Sequence, residues 1–177
     1  MEDISSEEQV VLVDEQGNDI GLMGKTEAHQ KGILHKAISV IIFNSEGKML
    51  IQQRAFTKYH WAGIWSNTCC SHPRNGETFE SAAARRLNEE LGIITPLKKE
   101  FHFTYKAKDD KSDLTEHEFD WVFTGTFDGA FEFNKHEIQA VKWVSKEELL
   151  NDMKADPDKY SFWFPIILQN LFMRGTY

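Results

Sequence analysis

The two cysteines of the chain are adjacent, Cys69 and Cys70, and His72 follows two residues after the second. The turn His72-Pro73-Arg74-Asn75-Gly76 leads into a stretch in which Phe79, Ala83, Leu87 and Leu91 recur every four residues. That spacing predicts a helix with one apolar face, and Gly92 stands where a left-handed C-cap would end it. The other face carries Arg85, Arg86, Glu89 and Glu90. A thiol, an imidazole and a carboxylate-bearing helix this close together suggest a site. Each has a plain structural alternative. A free cysteine is most often a small buried hydrophobe, although neighbours on a strand point to opposite faces, so both cannot face one core. Arg85–Glu89 and Arg86–Glu90 are i,i+4 pairs of the kind common on solvated helix faces.

A second constellation is dispersed. Glu116-His117-Glu118 lies in a run from Thr115 to Phe127 with strand character. At period two, Glu116, Glu118 and Asp120 share one face, while His117, Phe119, Trp121 and Phe123 share the other. Two carboxylates on one side of a strand mean either a water-facing edge or a metal and acid–base site. His29, His35 and His72 are the histidines that could join them. Three histidines and two carboxylates would suit Zn²⁺ or Mn²⁺, but the spacing of the five does not itself establish convergence.

The elements that must position these groups read as an α+β chain. Residues 1–8 look like a flexible tail, and Gln9 to Asp14 and Ile20 to Met23 form a hairpin. Lys36 to Phe43 and Met49 to Gln53 are strands around the turn Asn44-Ser45-Glu46-Gly47. Arg54 ends the second, and Lys58 follows in an aromatic loop from Phe56 to Trp65. After the helix, Phe101 to Tyr105 alternates as a strand, Lys106 to Asp113 is a polar loop, and Lys135 to Val144 is a last strand. Ser145 and Glu148 make a capping box. Asp156-Pro157-Asp158 breaks that helix, and Phe162 to Phe172 is an apolar C-terminal helix with Pro165 in its first turn.

Composition bounds the rest. The 177 residues suit one domain with a real core, and 41% hydrophobic and 12% aromatic content fits a globular chain. No signal peptide or membrane-length apolar run is visible, and adjacent cysteines make no disulfide framework, which predicts a reduced, cytoplasmic protein. The formal net charge of −8 argues against a nucleic-acid surface but leaves room for a small anion met by a few placed cations or a bound divalent cation.

The helix segment resembles the Nudix signature at Glu77, Arg85, Leu87, Glu89, Glu90, Gly92 and Ile93. Two positions depart from it: Ser71 stands at the leading Gly, and Arg86 replaces the Glu of the R-E pair. Those departures resemble the type I isopentenyl-diphosphate isomerases, whose hallmarks match Ser66-Asn67-Thr68-Cys69-Cys70-Ser71-His72-Pro73 and Glu116-His117-Glu118. The resemblance runs from about Lys25 to Trp163 and implies a Nudix-like α/β/α sandwich around a mixed sheet. It also implies allylic isomerisation of isopentenyl diphosphate, with Cys70 and Glu118 as the proton-transfer pair, Tyr105 assisting the glutamate and Trp163 facing a carbocation. His29, His35, His72, Glu116 and Glu118 would hold Mn²⁺ or Zn²⁺. Glu90 and the backbone carbonyl of Cys70 would hold a Mg²⁺ that meets the diphosphate. Lys25, Arg54, Lys58, Ser71 and Arg86 would bind the diphosphate itself.

The expected partner is thus a small-molecule diphosphate, with no nucleic acid or membrane, for a monomer or weak homodimer. Two rival readings stand beside it. A Nudix hydrolase of another diphosphate leaves the cysteine and the E-x-E idle, and a metal-stabilised binding module has no need of the thiol.

Overall fold

The computed structural model describes residues 8–175 and 177; of the tail expected at 1–8, residues 1–7 lie outside the described residues, and Glu8 O accepts from Lys25 N at 2.8 Å. In chain order the elements are β1 (Gln9–Val13), β2 (Asp19–Gly24), α1 (Lys25–Lys31), β3 (His35–Phe43), β4 (Met49–Arg54), β5 (Trp65–Ser66) and β6 (Cys69–Ser71). They continue with α2 (Phe79–Leu91), β7 (Lys98–Asp109), β8 (Leu114–Thr126), β9 (Ile138–Val144), α3 (Lys146–Ala155) and α4 (Trp163–Met173). A short 3-10 turn, Pro157–Lys159, separates the last two helices.

The hub is β3. Its sequence HKAISVIIF lacks polar alternation because both faces of the strand are covered. It runs parallel to β8 from the pair His35–Glu118 to the pair Phe43–Thr126. It also pairs antiparallel with β6, through Ile38–Ser71, Ser39–Cys70 and Val40–Cys69. β4 joins its far end through Ile42–Leu50, and β1 its near end through Leu12–His35. β7 extends the sheet beyond β8, and β9 extends it beyond β4. The result is one mixed sheet.

Alternation along β3 sorts the core into two layers. Ile38, Val40 and Ile42 pack with Cys69, Ala83, Leu87 and Leu91 of the α2 side. Ile41 and Phe43 pack with Val122, Trp163, Phe164, Ile167 and Leu171 of the α4 side. Each fully buried aliphatic side chain contributes about 1.5–3 kcal/mol of transfer free energy, so both helices are fastened to the sheet. This is the expected α/β/α sandwich. Adjacent Cys69 and Cys70 fall on opposite faces, the first in the α2 core and the second toward α4.

The helices begin and end as their sequences direct. Thr78 Oγ1 caps α2 by accepting from Ser81 N, and Gly92 closes it at φ 63°, a conformation that favours glycine. Ser145 and Glu148 form the expected capping box on α3. Three expectations need correction. Lys25–Lys31 is a helix, α1, where the sequence suggested no element. The polar segment from Lys106 is not all loop: β7 continues to Asp109 because Lys106, Ala107, Lys108 and Asp109 each pair with β8, down to Asp109–Leu114. The last strand begins at Ile138 rather than Lys135, because Asn134 O accepts from Glu137 N and Ile138 N in a turn.

Candidate active site

The E-x-E strand is no water-facing edge. It lies between β3 and β7, so Glu116, Glu118 and Asp120 point into the layer beneath α4, where they are 3%, 7% and 1% exposed. The parallel register sets His35 opposite Glu118. α1 brings His29 across β8, and the segment after β6 brings His72. Ligand atoms of His29, His35, His72, Glu116 and Glu118 all lie within 4.8 Å of one another, and all five residues are buried.

This donor set fits a divalent cation. Nδ1 of His35 is 2.8 Å from Ile33 O and therefore carries the proton that it donates. Nε2 of His35 is then a bare acceptor aimed into the cluster, buried and without a hydrogen-bond partner. Burial pushes His35 down to about 4 and holds His72 well below the ordinary imidazole range. Neutral imidazole is the form that binds a cation. Nε2 of His29 lies 3.0 Å from Glu116 Oε2, and Nε2 of His72 lies 2.9 Å from Glu118 Oε1.

The two glutamates differ. Burial opposes ionisation of Glu116, but hydrogen bonds from His29 and His60 outweigh it and hold its carboxyl low. Burial, then the charges of Glu116 and Asp120, raise Glu118 well above the usual carboxylate range. Two carboxylates so close cannot both ionise without a cation between them, so the pair divides its protons. The Tyr105 hydroxyl donates to Glu118 Oε2 at 2.8 Å. Asp120, on the same face, is raised to about 8 by burial and by Glu116, and its Oδ2 accepts from Ser39 Oγ at 2.7 Å.

Beside this cluster lies the thiol. Cys70 donates to Asn67 Oδ1 at 2.9 Å and accepts from the Trp163 indole N–H at 3.2 Å. Burial, then the Asp120 charge, pushes it up to about 12, so the sulfur keeps its proton at neutral pH. The Trp163 indole fills the wall between Cys70 and Tyr105, 6.0 Å centroid to centroid from the tyrosine. Cys70, Tyr105, Glu118 and Trp163 line one cleft, together with Lys25, Arg54, Lys58, Ser71 and Arg86. Every residue named from the sequence for catalysis or anion binding therefore meets there.

Glu90 is not on the solvated helix face that the plain reading of its i,i+4 pair with Arg86 suggested. It is 4% exposed, and its Oε1 accepts from Arg86 Nη2 at 2.6 Å, while Oε2 accepts from Gln52 Nε2 at 3.2 Å. Arg86 also meets Glu89 Oε2 at 2.8 Å and approaches Glu137 Oε1 at 3.5 Å. Farther along α2, Arg85 grips Glu77 with two parallel bonds of 2.7 and 2.9 Å and reaches His72 O at 3.3 Å. The helix thus fixes the turn that presents His72, by the planar fork that suits arginine.

Three contributors were not read from the sequence, Tyr59, His60 and Ser39, and Asn67 was read only as part of the segment Ser66 to Pro73. His60 Nε2 pairs with Glu116 Oε1, and Tyr59 OH lies 3.0 Å from His29 Nδ1. The available signal was two side chains of metal-partner type, a tyrosine and a histidine, in an aromatic loop that already held Lys58.

Residues 33–164 match the NUDIX domain family, and the sandwich superposes on solved Nudix folds. A MutT protein from Methanosarcina mazei aligns over 81% of this chain and 96% of its own, with TM-score 0.68 at 17% identity. The chain is a Nudix protein. Closer in sequence are isopentenyl-diphosphate Delta-isomerase 2 of Aromatoleum aromaticum, 49% identical over 93% of this chain and 87% of that protein, and isopentenyl-diphosphate Delta-isomerase of Serratia proteamaculans, 44% identical over 93% and 92%. Within the Nudix proteins, the chain belongs to the isopentenyl-diphosphate Delta-isomerase family.

Proposed function

We propose that Cys70 and Glu118 are the proton-transfer pair with which this isomerase interconverts isopentenyl and dimethylallyl diphosphate. The observation that carries the reading is a protonated thiol and a carboxyl of raised proton affinity lining one buried cleft beside an indole. The reaction adds a proton at the terminal alkene carbon and removes one from carbon 2. For the transfers to balance, one group of the pair enters protonated and gives its proton to the alkene, while the other enters as its conjugate base and takes the proton from carbon 2; in the reverse direction they exchange roles. No bond to the diphosphate breaks.

Tyr105 steadies the Glu118 carboxyl through its hydrogen bond. Trp163 offers its indole to the cationic centre between the two proton transfers, worth about 0.5–2 kcal/mol or more when dry. The walls formed by Tyr105 and Trp163 exclude water, which would otherwise capture that cation. Lys25, Arg54, Lys58 and Arg86 neutralise the diphosphate at the mouth, and Ser71 adds a hydroxyl.

His29, His35, His72, Glu116 and Glu118 would hold Mn²⁺ or Zn²⁺, the metals suited to a nitrogen-rich set with carboxylates. Glu90 and the Cys70 carbonyl would hold a Mg²⁺, which would supply positive charge toward the diphosphate. Held there, such cations would supply the charge that orients Glu118 and anchors the diphosphate. The chain would work as a single domain behind a tail at residues 1–8, as a monomer or weak homodimer with no nucleic-acid or membrane partner. A reducing cytoplasm suits its two free cysteines. Among the described residues no helix is long and apolar enough to cross a membrane.

The deciding experiment incubates the protein with isopentenyl diphosphate and Mg²⁺ in deuterated water, following allylic product and free phosphate together. Deuterium in dimethylallyl diphosphate without phosphate or pyrophosphate release supports the reading. Phosphate release without isomerisation would move the chain to the hydrolases and make Cys70 a bystander.

A further inference from the structure

Three consecutive residues of the loop between β4 and β5 each touch a different part of the site. Tyr59 OH lies 3.0 Å from Nδ1 of His29. His60 Nε2 pairs with Oε1 of Glu116. Trp61 sets its ring edge-on to that of Trp163, with centroids 5.7 Å apart, while its backbone N–H donates to Asp109 Oδ2 at 3.0 Å. Trp61 holds φ 50°, a left-handed backbone that costs a bulky residue energy and persists where its surroundings impose it. The loop is therefore held against the cluster rather than draped over it.

The bonding of His60 is unusual for a core residue. It is 6% exposed, yet its Nδ1 is buried with no hydrogen-bond partner. A histidine buried at the expense of one ring nitrogen has its remaining nitrogen committed to Glu116. Glu116 has two oxygens, and they are used differently. Oε2 faces His29, inside the ligand cluster, and Oε1 faces His60, which lies outside it. With Oε1 occupied by the His60 N–H, the carboxylate is turned so that Oε2 points at the other four ligands.

Tyr59 sets the other ligand in the same way. For Nε2 of His29 to act as an electron-pair donor, Nδ1 must carry the ring proton. With a cation on Nε2, the tyrosine oxygen at 3.0 Å from Nδ1 would receive that proton; without one, Nε2 donates to Glu116 Oε2 and the Tyr59 hydroxyl donates to Nδ1. Partners of this kind, one atom behind a metal ligand, fix tautomer and ring or carboxylate orientation, and losing one commonly weakens metal affinity 10–100-fold.

We propose that His60 and Tyr59 are positioning residues of the metal centre, His60 orienting Glu116 and Tyr59 fixing the tautomer of His29. This rests on the reading that the three histidines and two glutamates bind a divalent cation. Both border the cleft but lie outside the ligand group, and in this role each acts through a ligand.

The test is titration of the metal-depleted full chain with Co²⁺, followed by its visible d–d absorption, for wild type, His60→Ala, His60→Gln and Tyr59→Phe. Thermal melting of each metal-free variant is recorded alongside. The expected result is a 10–100-fold weaker Co²⁺ affinity for His60→Ala and Tyr59→Phe. His60→Gln, which keeps an N–H donor for Glu116 Oε1, should recover part of the affinity lost in His60→Ala. A loss confined to packing would lower metal-free melting and leave the affinity and spectrum of the folded fraction unchanged, which overturns the proposal. Affinities within twofold of wild type in both His60→Ala and Tyr59→Phe overturn it too. Failure of the wild type itself to bind Co²⁺ removes the metal reading on which it rests, so the two failures are told apart.

Discussion

The indole N–H of Trp163 donates to Sγ of Cys70 at 3.2 Å, and the same N–H lies 3.2 Å from Asn67 Oδ1, to which the thiol donates at 2.9 Å. The three side chains form a closed triangle that aims the sulfur along the cleft. Cys69, one residue earlier, is fully buried among Ala83, Leu87 and Leu91 on the opposite face of the sheet. Period-two geometry thus gives two identical neighbours opposite tasks.

Cys70→Ala should lower isomerisation by about 10²–10⁴-fold, the usual scale for removing a positioned proton-transfer group, with the far-ultraviolet spectrum unchanged. Cys69→Ala should leave turnover at the wild-type level and cost about 1 kcal/mol of stability, as modest core truncations do. Steady-state assays of both, with melting curves, check this. Equal loss of turnover in the two variants would remove the distinction between the faces.

The protonation state of Cys70 has its own signature. A thiol pushed up to about 12 by burial and by Asp120 is almost wholly protonated at pH 7–8, and its thiolate fraction grows tenfold with each pH unit below that value. In a Cys69→Ala background, alkylation by iodoacetamide should therefore be slow at pH 7 and rise with unit slope as pH increases, without levelling off near 8.5. Isopentenyl diphosphate should slow it. A plateau near the ordinary thiol value, or an absence of substrate protection, would place the sulfur outside a buried cleft.

The sequence made much of this legible. Local periodicity sufficed for α2 with its Gly92 stop, and for the Glu116, Glu118 and Asp120 face of β8. The resemblance supplied what spacing could not, the meeting of His29, His35 and His72 with that face. Convergence depends on the parallel β3–β8 pairing, a contact between segments more than eighty residues apart that no local pattern encodes. The burial of Glu90 was not legible, because an i,i+4 pair with Arg86 looks the same on a wet or a dry face, and only tertiary packing decides between them. His60 escaped notice because it belongs to an irregular loop, where no period assigns a direction to a side chain.

Removing divalent cations should both inactivate and destabilise the protein. Without a cation, Glu116 and Glu118 are left facing each other in a buried site. A cation present at a hundred times its dissociation constant stabilises the folded state by about 2.7 kcal/mol, or about 5–10 °C in melting temperature for a chain of this size. Dialysis against a chelator, then return of Mn²⁺, Zn²⁺ or Mg²⁺ singly, checks this by calorimetry and activity. Melting that is indifferent to the chelator would argue that the cluster is held by hydrogen bonds alone.

Arg86 is the position at which the helix departs from the hydrolase signature. Its guanidinium faces Glu89, Glu90 and Glu137 and also lines the cleft. Burial works against its charge, but Glu90 and its neighbours hold the proton more tightly than usual, so it stays cationic throughout the working range. Arg86→Glu would place a third carboxylate against buried Glu90 and Glu137, and its loss of folding would mask any effect on substrate. Arg86→Lys is the informative change, since it keeps the charge and removes the planar fork. It should raise KM for isopentenyl diphosphate about tenfold, the equivalent of about 1.4 kcal/mol of binding, with a smaller effect on kcat because the arginine meets the diphosphate rather than the alkene. Steady-state kinetics over a range of substrate concentrations separates the two parameters. A fall confined to kcat would assign Arg86 to the orientation of Glu90 instead of to the anion.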